Sequence, residues 1–144
     1  MQGTRRLHGS CVARNDDAIL LRGAPGSGKS DLALRLLSRG FELIADDQVD
    51  VTDGVATCPE TLAGLLEVRG VGIVRVPHRP QGRLALVVEL GETPDRLPEP
   101  RRDETLGVPV IRLDAFAASA ADKVALALDC ALGHVSQVAG AFSA

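Results

Sequence analysis

Along most of the chain, apolar residues come in short runs broken by polar turns, and two stretches carry them at helical spacing. Residues 7–13 and 18–21 flank Arg14-Asn15-Asp16-Asp17, which predicts a hairpin whose second strand enters a glycine-rich loop. Over 29–39, Leu32, Ala33, Leu36 and Leu37 share a helical face, Asp31 sits in the first turn and Gly40 follows as a stop. The order strand, loop, helix is therefore expected here. Residues 41–45 form a short apolar run ending in Asp46-Asp47, after which Val49 and Val51 alternate with polar residues up to Asp53-Gly54, a tight hairpin signal. Residues 65–76 are rich in Leu, Val and Ile but interrupted by Gly70 and Gly72, which predicts one bent strand or two. Further strands are expected at 84–90 and 109–113. A second helix is expected at 121–132, with Val124, Ala125, Leu128 and Leu132 on one face. Between them, 91–107 holds Pro94, Pro98 and Pro100 beside Arg96, Arg101 and Arg102 and reads as a mobile, charged loop. The tail 133–144 is small and polar enough to fray.

Composition narrows the function classes. With 144 residues, 45% hydrophobic and 24% charged, the chain is expected to be one domain over 1–144 with a self-sufficient core. A net charge of −3 and only three Phe, with no Trp or Tyr, argue against nucleic acid, which calls for a basic surface or stacking rings. No uncharged apolar run approaches the roughly 20 residues that span a bilayer. Residues 7–13 are too short and polar for a signal peptide, so the expectation is a cytoplasmic protein without a membrane partner. Cys11, Cys58 and Cys130 are odd in number and lack C-x-x-C spacing, the pattern of small buried thiols rather than of disulfides or zinc.

The candidate chemistry lies at Gly23-Ala24-Pro25-Gly26-Ser27-Gly28-Lys29-Ser30, which fits the phosphate-binding pattern G-x-x-x-x-G-K-[ST]. Glycines let backbone N–H groups converge on an anion, and the helix that follows adds its N-terminal dipole. Lys29 supplies a point charge to the β- and γ-phosphates, and Ser30 Oγ is a candidate ligand of Mg²⁺. With only two lysines in the chain, chance is a poor source of the match. Asp46 and Asp47 end an apolar run, the usual station of a metal-binding or catalytic carboxylate beside such a loop. On a strand they would point to opposite faces and divide the work. Glu67 and Arg69 would share one strand face, either as a solvated ion pair or as site residues. His8 precedes Gly9 in the first strand, where a lone His is more often structural; His78 and His134 read as surface residues.

Four segments together resemble the catalytic domain of bacterial HPr kinase/phosphorylase, which phosphorylates a serine of the small phosphocarrier protein HPr. They are Leu7-His8-Gly9, the phosphate loop followed by Asp31 where the family usually has Glu, Leu43-Ile44-Ala45-Asp46-Asp47, and Leu66-Glu67-Val68-Arg69-Gly70-Val71-Gly72-Ile73. The resemblance runs from His8 to about Leu113, and the last segment looks like the family's signature. It implies an α/β fold of the P-loop kinase type, phosphoenolpyruvate carboxykinase-like, with a twisted, mostly β core and a P-loop helix. It further implies ATP and Mg²⁺ as cofactors, Lys29 on phosphate, Ser30 and Glu67 on Mg²⁺ with Asp47 assisting, and Asp46 as the base that deprotonates the acceptor serine. Family usage makes His8 an active-site residue and Arg96 a catalytic arginine, and the assembly a homo-oligomer, hexameric in the family. Only seven residues precede His8, which suggests a form with the catalytic domain alone. The family's Pro-Val-Arg-Pro-Gly-Arg-Asn stretch, associated with dephosphorylation, has no match; Leu113-Asp114-Ala115-Phe116-Ala117-Ala118-Ser119 stands there. The resemblance thus implies the kinase reaction and gives no support to the phosphorylase reaction. A small-molecule P-loop kinase and a non-catalytic nucleotide sensor are the rival readings.

Overall fold

The computed structural model describes residues 3–143, so Met1, Gln2 and Ala144, the ends of the domain expected over 1–144, lie outside the described residues. Eight strands form one sheet. At its centre, β2 (Ser10–Arg14) and β3 (Asp17–Arg22) make the expected hairpin, with Arg14 opposite Asp17 across a two-residue turn. On the far side of β3 lies β9 (Gln81–Leu90), parallel to it. One edge of this long strand is shared by antiparallel β6 (Val55–Thr57) and parallel β10 (Val110–Leu113). Next to β6 come β5 (Gln48–Thr52) and β1 (Arg5–His8), and β4 (Glu42–Ala45) pairs with β2 at the other end.

β2, β3 and the second half of β9, from Leu86 on, are buried on both faces, which is why they read as near-continuous apolar runs rather than as alternation. Val12, Ile19, Leu21, Leu86 and Val88 face one core together with Leu32, Ala33 and Leu36 of α1 (Lys29–Leu37) and Val124 and Leu128 of α2 (Ala120–Ala131). Cys11, Ala18, Leu20 and Val87 face a second core with Ile44, Val49, Val51 and Ala56. That second core exists because the sheet rolls on itself, bringing β5 and β6 against β2 and β4. Gly82 makes the roll possible, since a Cβ there would lie 2.9 Å from Ile44 Cδ1 and 3.1 Å from Ala18 Cβ.

Several expectations are corrected. The run 7–13 is two strands, because Gly9 leaves β2 and donates its N–H to the Asp47 carbonyl (2.9 Å), sending β1 to pair with β5. Residues 65–76 are a separate hairpin of β7 (Leu65–Val68) and β8 (Gly72–Arg75), so the two-strand alternative holds. Arg69 lies in its turn and does not share a strand face with Glu67. Of the three cysteines only Cys11 is fully buried, its thiol pushed up to about 12 by desolvation, while Cys58 and Cys130 are half-buried. The tail does not simply fray, as Ala141 is buried and Phe142 packs on the helix-side core. No described helix is long and apolar enough to cross a membrane.

The loop 91–107 is anchored in its second half. Asp103 accepts the Thr105 and Leu106 N–H groups (2.9 and 2.8 Å) and pairs with Arg22 (2.7 Å), which also reaches Glu89 (3.0 Å). Burial by itself would raise both carboxyls; for Asp103 the Leu106 amide and Arg22 outweigh it, and for Glu89 Arg22 and Arg101 do. Both folded-state values therefore lie below the unfolded ones. The resulting stability is fully present above about pH 5 and is lost as pH falls through the depressed values. Arg22→Met should be less stable than the parent at pH 6, and the gap in urea midpoint should close toward pH 2. Parallel midpoint curves over that range would remove the network from the account.

Candidate active site

The phosphate loop connects the end of β3 to α1, as the strand-loop-helix order requires. Its crown, Ala24-Pro25-Gly26, is exposed, and Ser27 N–H closes it on the Ala24 carbonyl (3.0 Å). Gly28 is the N-cap of α1 at φ 96°, a left-handed conformation that a side chain would strain. There a Cβ would also meet Ala115 Cβ at 2.8 Å. Lys29 folds back over its own loop, Nζ donating to the carbonyls of Gly23 (2.8 Å) and Ala24 (3.3 Å), so two of its three donors are engaged.

Asp46 is the hub. It is 9% exposed, and its Oδ1 accepts the hydroxyls of Ser30 and Ser10, both at 2.8 Å, while Oδ2 accepts the Glu67 N–H at 3.3 Å. Asp46 and Asp47 do divide, but not through strand alternation. β4 ends at Ala45, and Asp47 takes φ 72° in the turn that follows, which leaves its carboxylate 69% exposed and 3.5 Å from His8 Nδ1. A carboxylate offers about four lone-pair sites; three on Asp46 are filled, and the open one is on Oδ2.

The structure therefore brings together Ser30, Asp46 and the Glu67 backbone, and separately His8 and Asp47. The Glu67 carboxylate is exposed on β7. Arg96 is exposed and makes no side-chain hydrogen bond or ion pair among the described residues, although its loop starts at Gly91, where a Cβ would lie 3.8 Å from Ser27 Cβ. Ser10 was missing from the sequence reading. The signal available was a hydroxyl leading into the apolar run Cys11-Val12-Ala13, because a hydroxyl buried with that run must find a partner.

These residues fit a polyphosphate with Mg²⁺. Ser27 Oγ is buried against Gly23 with no hydrogen-bond partner among the described residues, and α1 starts on a glycine that brings no capping oxygen to its first-turn N–H groups. Both features call for an anion. Hydroxyl and carboxylate oxygens suit a hard cation. No three His, Cys, Asp or Glu of the described residues form a metal cage, and Mg²⁺, held by one or two carboxylates plus substrate phosphates, needs none.

Comparison with known proteins adds to this geometry. The family model described as HPr Serine kinase C-terminal domain matches residues 1–102. HPr kinase/phosphorylase of Xylella fastidiosa (strain 9a5c) is 52% identical over 79 residues, and that of Stenotrophomonas maltophilia (strain K279a) 52% identical over 77 residues. The matches span 50% and 49% of this chain and 24% of each relative, so the chain covers about a quarter of the curated relatives it matches. The Hpr(Ser) kinase/phosphatase structure from Coxiella burnetii superposes with a TM-score of 0.69 at 21% identity, over 86% of this chain and 87% of that one. At that identity the likeness establishes the fold: mixed α/β, dominated by its sheet.

Proposed function

The chain belongs to the HPr serine kinase C-terminal domain family, and from that premise we propose that it is an ATP- and Mg²⁺-dependent protein serine kinase whose acceptor is an HPr-like phosphocarrier. The observation that carries the reading is the Ser30–Asp46 hydrogen bond, which joins the phosphate loop to the carboxylate at the end of β4. In this reading the N–H groups of residues 23–30 hold the phosphates, and Lys29 Nζ exchanges its loop carbonyls for phosphate oxygens. Ser30 Oγ and the Glu67 carboxylate, assisted by Asp47, would hold Mg²⁺, which would supply positive charge against that of the phosphates. Asp46 Oδ2 accepts the proton of the acceptor hydroxyl. The hydroxyl oxygen bonds to the γ-phosphorus as the bond to the leaving ADP oxygen breaks, and Arg96 offsets charge on the transferred group. His8 orients Asp47 from 3.5 Å. The described residues act as one catalytic domain that assembles with further copies of itself.

The test is incubation of the purified chain with Mg²⁺, γ-labelled ATP and purified HPr, followed by mapping of the label. Transfer to one HPr serine is expected. Label on a metabolite panel but not on HPr would replace the reading with a small-molecule kinase. Nucleotide binding without Mg²⁺-dependent ATP consumption would replace it with a nucleotide sensor. The phosphorylase reaction, in which inorganic phosphate takes the phosphoryl group from phosphorylated HPr to leave the serine and pyrophosphate, is expected to be silent.

A further inference from the structure

The phosphate loop has a neighbour that the proposed function leaves unused. Strands β3, β9 and β10 are parallel, so their carboxyl ends open on one edge of the sheet, where α/β proteins bind ligands. Leu113 of β10 stands opposite Leu90 of β9, and the Leu90 carbonyl lies against Gly23 (2.8 Å from where its Cβ would be). The segment leaving β10 thus emerges beside the phosphate loop and crosses it at Gly28. There Phe116 Cζ and Cε1 lie 3.2 and 3.3 Å from the place a Gly28 Cβ would take.

Phe116 is 68% exposed. The chain has three Phe and no Trp or Tyr, and Phe41 is buried while Phe142 packs on the core, so this is its single open phenyl ring. The ring is held on a bracket. Asp114 accepts the Phe116 N–H (2.9 Å), the Ala117 N–H returns to the Asp114 carbonyl (3.2 Å), and the Arg35 guanidinium of α1 donates to the carbonyls of Ala115 and Ala117. Arg35 is braced in turn by Asp31 at 3.2 Å. The helix that presents its N-terminus to the phosphates therefore also fixes the aromatic ring beside them. The ring tip rests on Gly28, the N-cap of that helix, and most of its surface is open.

We propose that Phe116 is the nucleobase platform of this site, stacking the base of a nucleoside triphosphate whose phosphates lie in the loop 23–30. This rests on the nucleotide reading above and names the subsite that reading lacks. A π-face offers stacking and no hydrogen-bonding code, so it recognises the base without selecting it strongly.

The chain's lack of tryptophan makes Phe116→Trp a clean reporter. ATP is expected to quench the introduced indole, whereas inorganic tripolyphosphate, which can fill the loop but carries no base, should bind calorimetrically and leave the emission unchanged. Phe116→Ala should weaken ATP binding about 5- to 100-fold, the worth of one base–aromatic stack, with tripolyphosphate affinity kept and Phe116→Trp retaining the parent's ATP affinity. If Phe116→Ala binds ATP as tightly as the parent, or loses both ligands equally, the platform is overturned while the phosphate site stands. If the parent binds neither ligand, the nucleotide reading fails and the platform with it.

Discussion

Asp46→Asn is expected to lower phosphoryl transfer to the acceptor serine by about two to four decades, the usual worth of a general base, with nucleotide affinity nearly unchanged. The amide keeps a carbonyl oxygen that can accept the hydroxyls of Ser10 and Ser30, so the connection between β2, β4 and the phosphate loop survives. What it loses is the second oxygen. An NH₂ group then replaces Oδ2, facing the Glu67 N–H donor-to-donor, and no acceptor remains for the hydroxyl proton. The loss should fall on kcat with KM little changed, because the interaction is made in the transition state. Initial rates with purified acceptor, alongside calorimetric ATP binding, separate the two. Turnover equal to the parent's would remove Asp46 as the base, and Asp47→Asn, which alters the exposed carboxylate that pairs with His8 and assists Mg²⁺ in the proposed reading, would then be the variant to compare.

What could be read along the chain were features made by neighbours in sequence. The turns at Asn15-Asp16 and Asp53-Gly54, the helix from Lys29 and the glycine-rich loop ahead of it each depend on a few consecutive residues, and each stands where the pattern put it. The β7–β8 hairpin was half legible, since Gly70 and Gly72 marked a break but could not say whether the chain bent or reversed. Features made by distant residues were hidden. Gly9 breaks the first run only because the Asp47 carbonyl, 38 positions later in the numbering, waits for its N–H. The adjacent aspartates separate through the φ of Asp47, whereas strand alternation, the reason offered by the sequence, does not operate past Ala45. The roll of the sheet, the Ser10–Asp46 bond and the Arg35 bracket under Phe116 all join segments that carry no mark of one another. Burial on both faces also erased the period-2 signal from β3, the strand that leads into the glycine-rich loop.

Lys29→Met should have the other large effect and a different signature. The ammonium has two jobs: it satisfies the Gly23 and Ala24 carbonyls, and its third donor is open to an incoming oxygen. A phosphate that takes over those donors gains a charge already seated within the loop, at a position with only 9% exposure, where water competes weakly. Met keeps most of the stem's packing and removes the charge. Because Lys29 would touch phosphate in the ground state and more strongly as charge shifts in the transition state, both ATP affinity and turnover should fall, the latter by about two to three decades as for the loss of one preorganised donor. Asp46 and Lys29 thus divide into a kcat effect and a joint kcat and KM effect, a contrast that a general loss of structure would blur. Thermal melts should show the Lys29→Met chain folded, since the two bonds it loses are to loop carbonyls at the rim of the core. A folded Lys29→Met variant that binds ATP and transfers phosphate as the parent does would remove the ammonium from the site and leave the phosphates to the main-chain N–H groups alone.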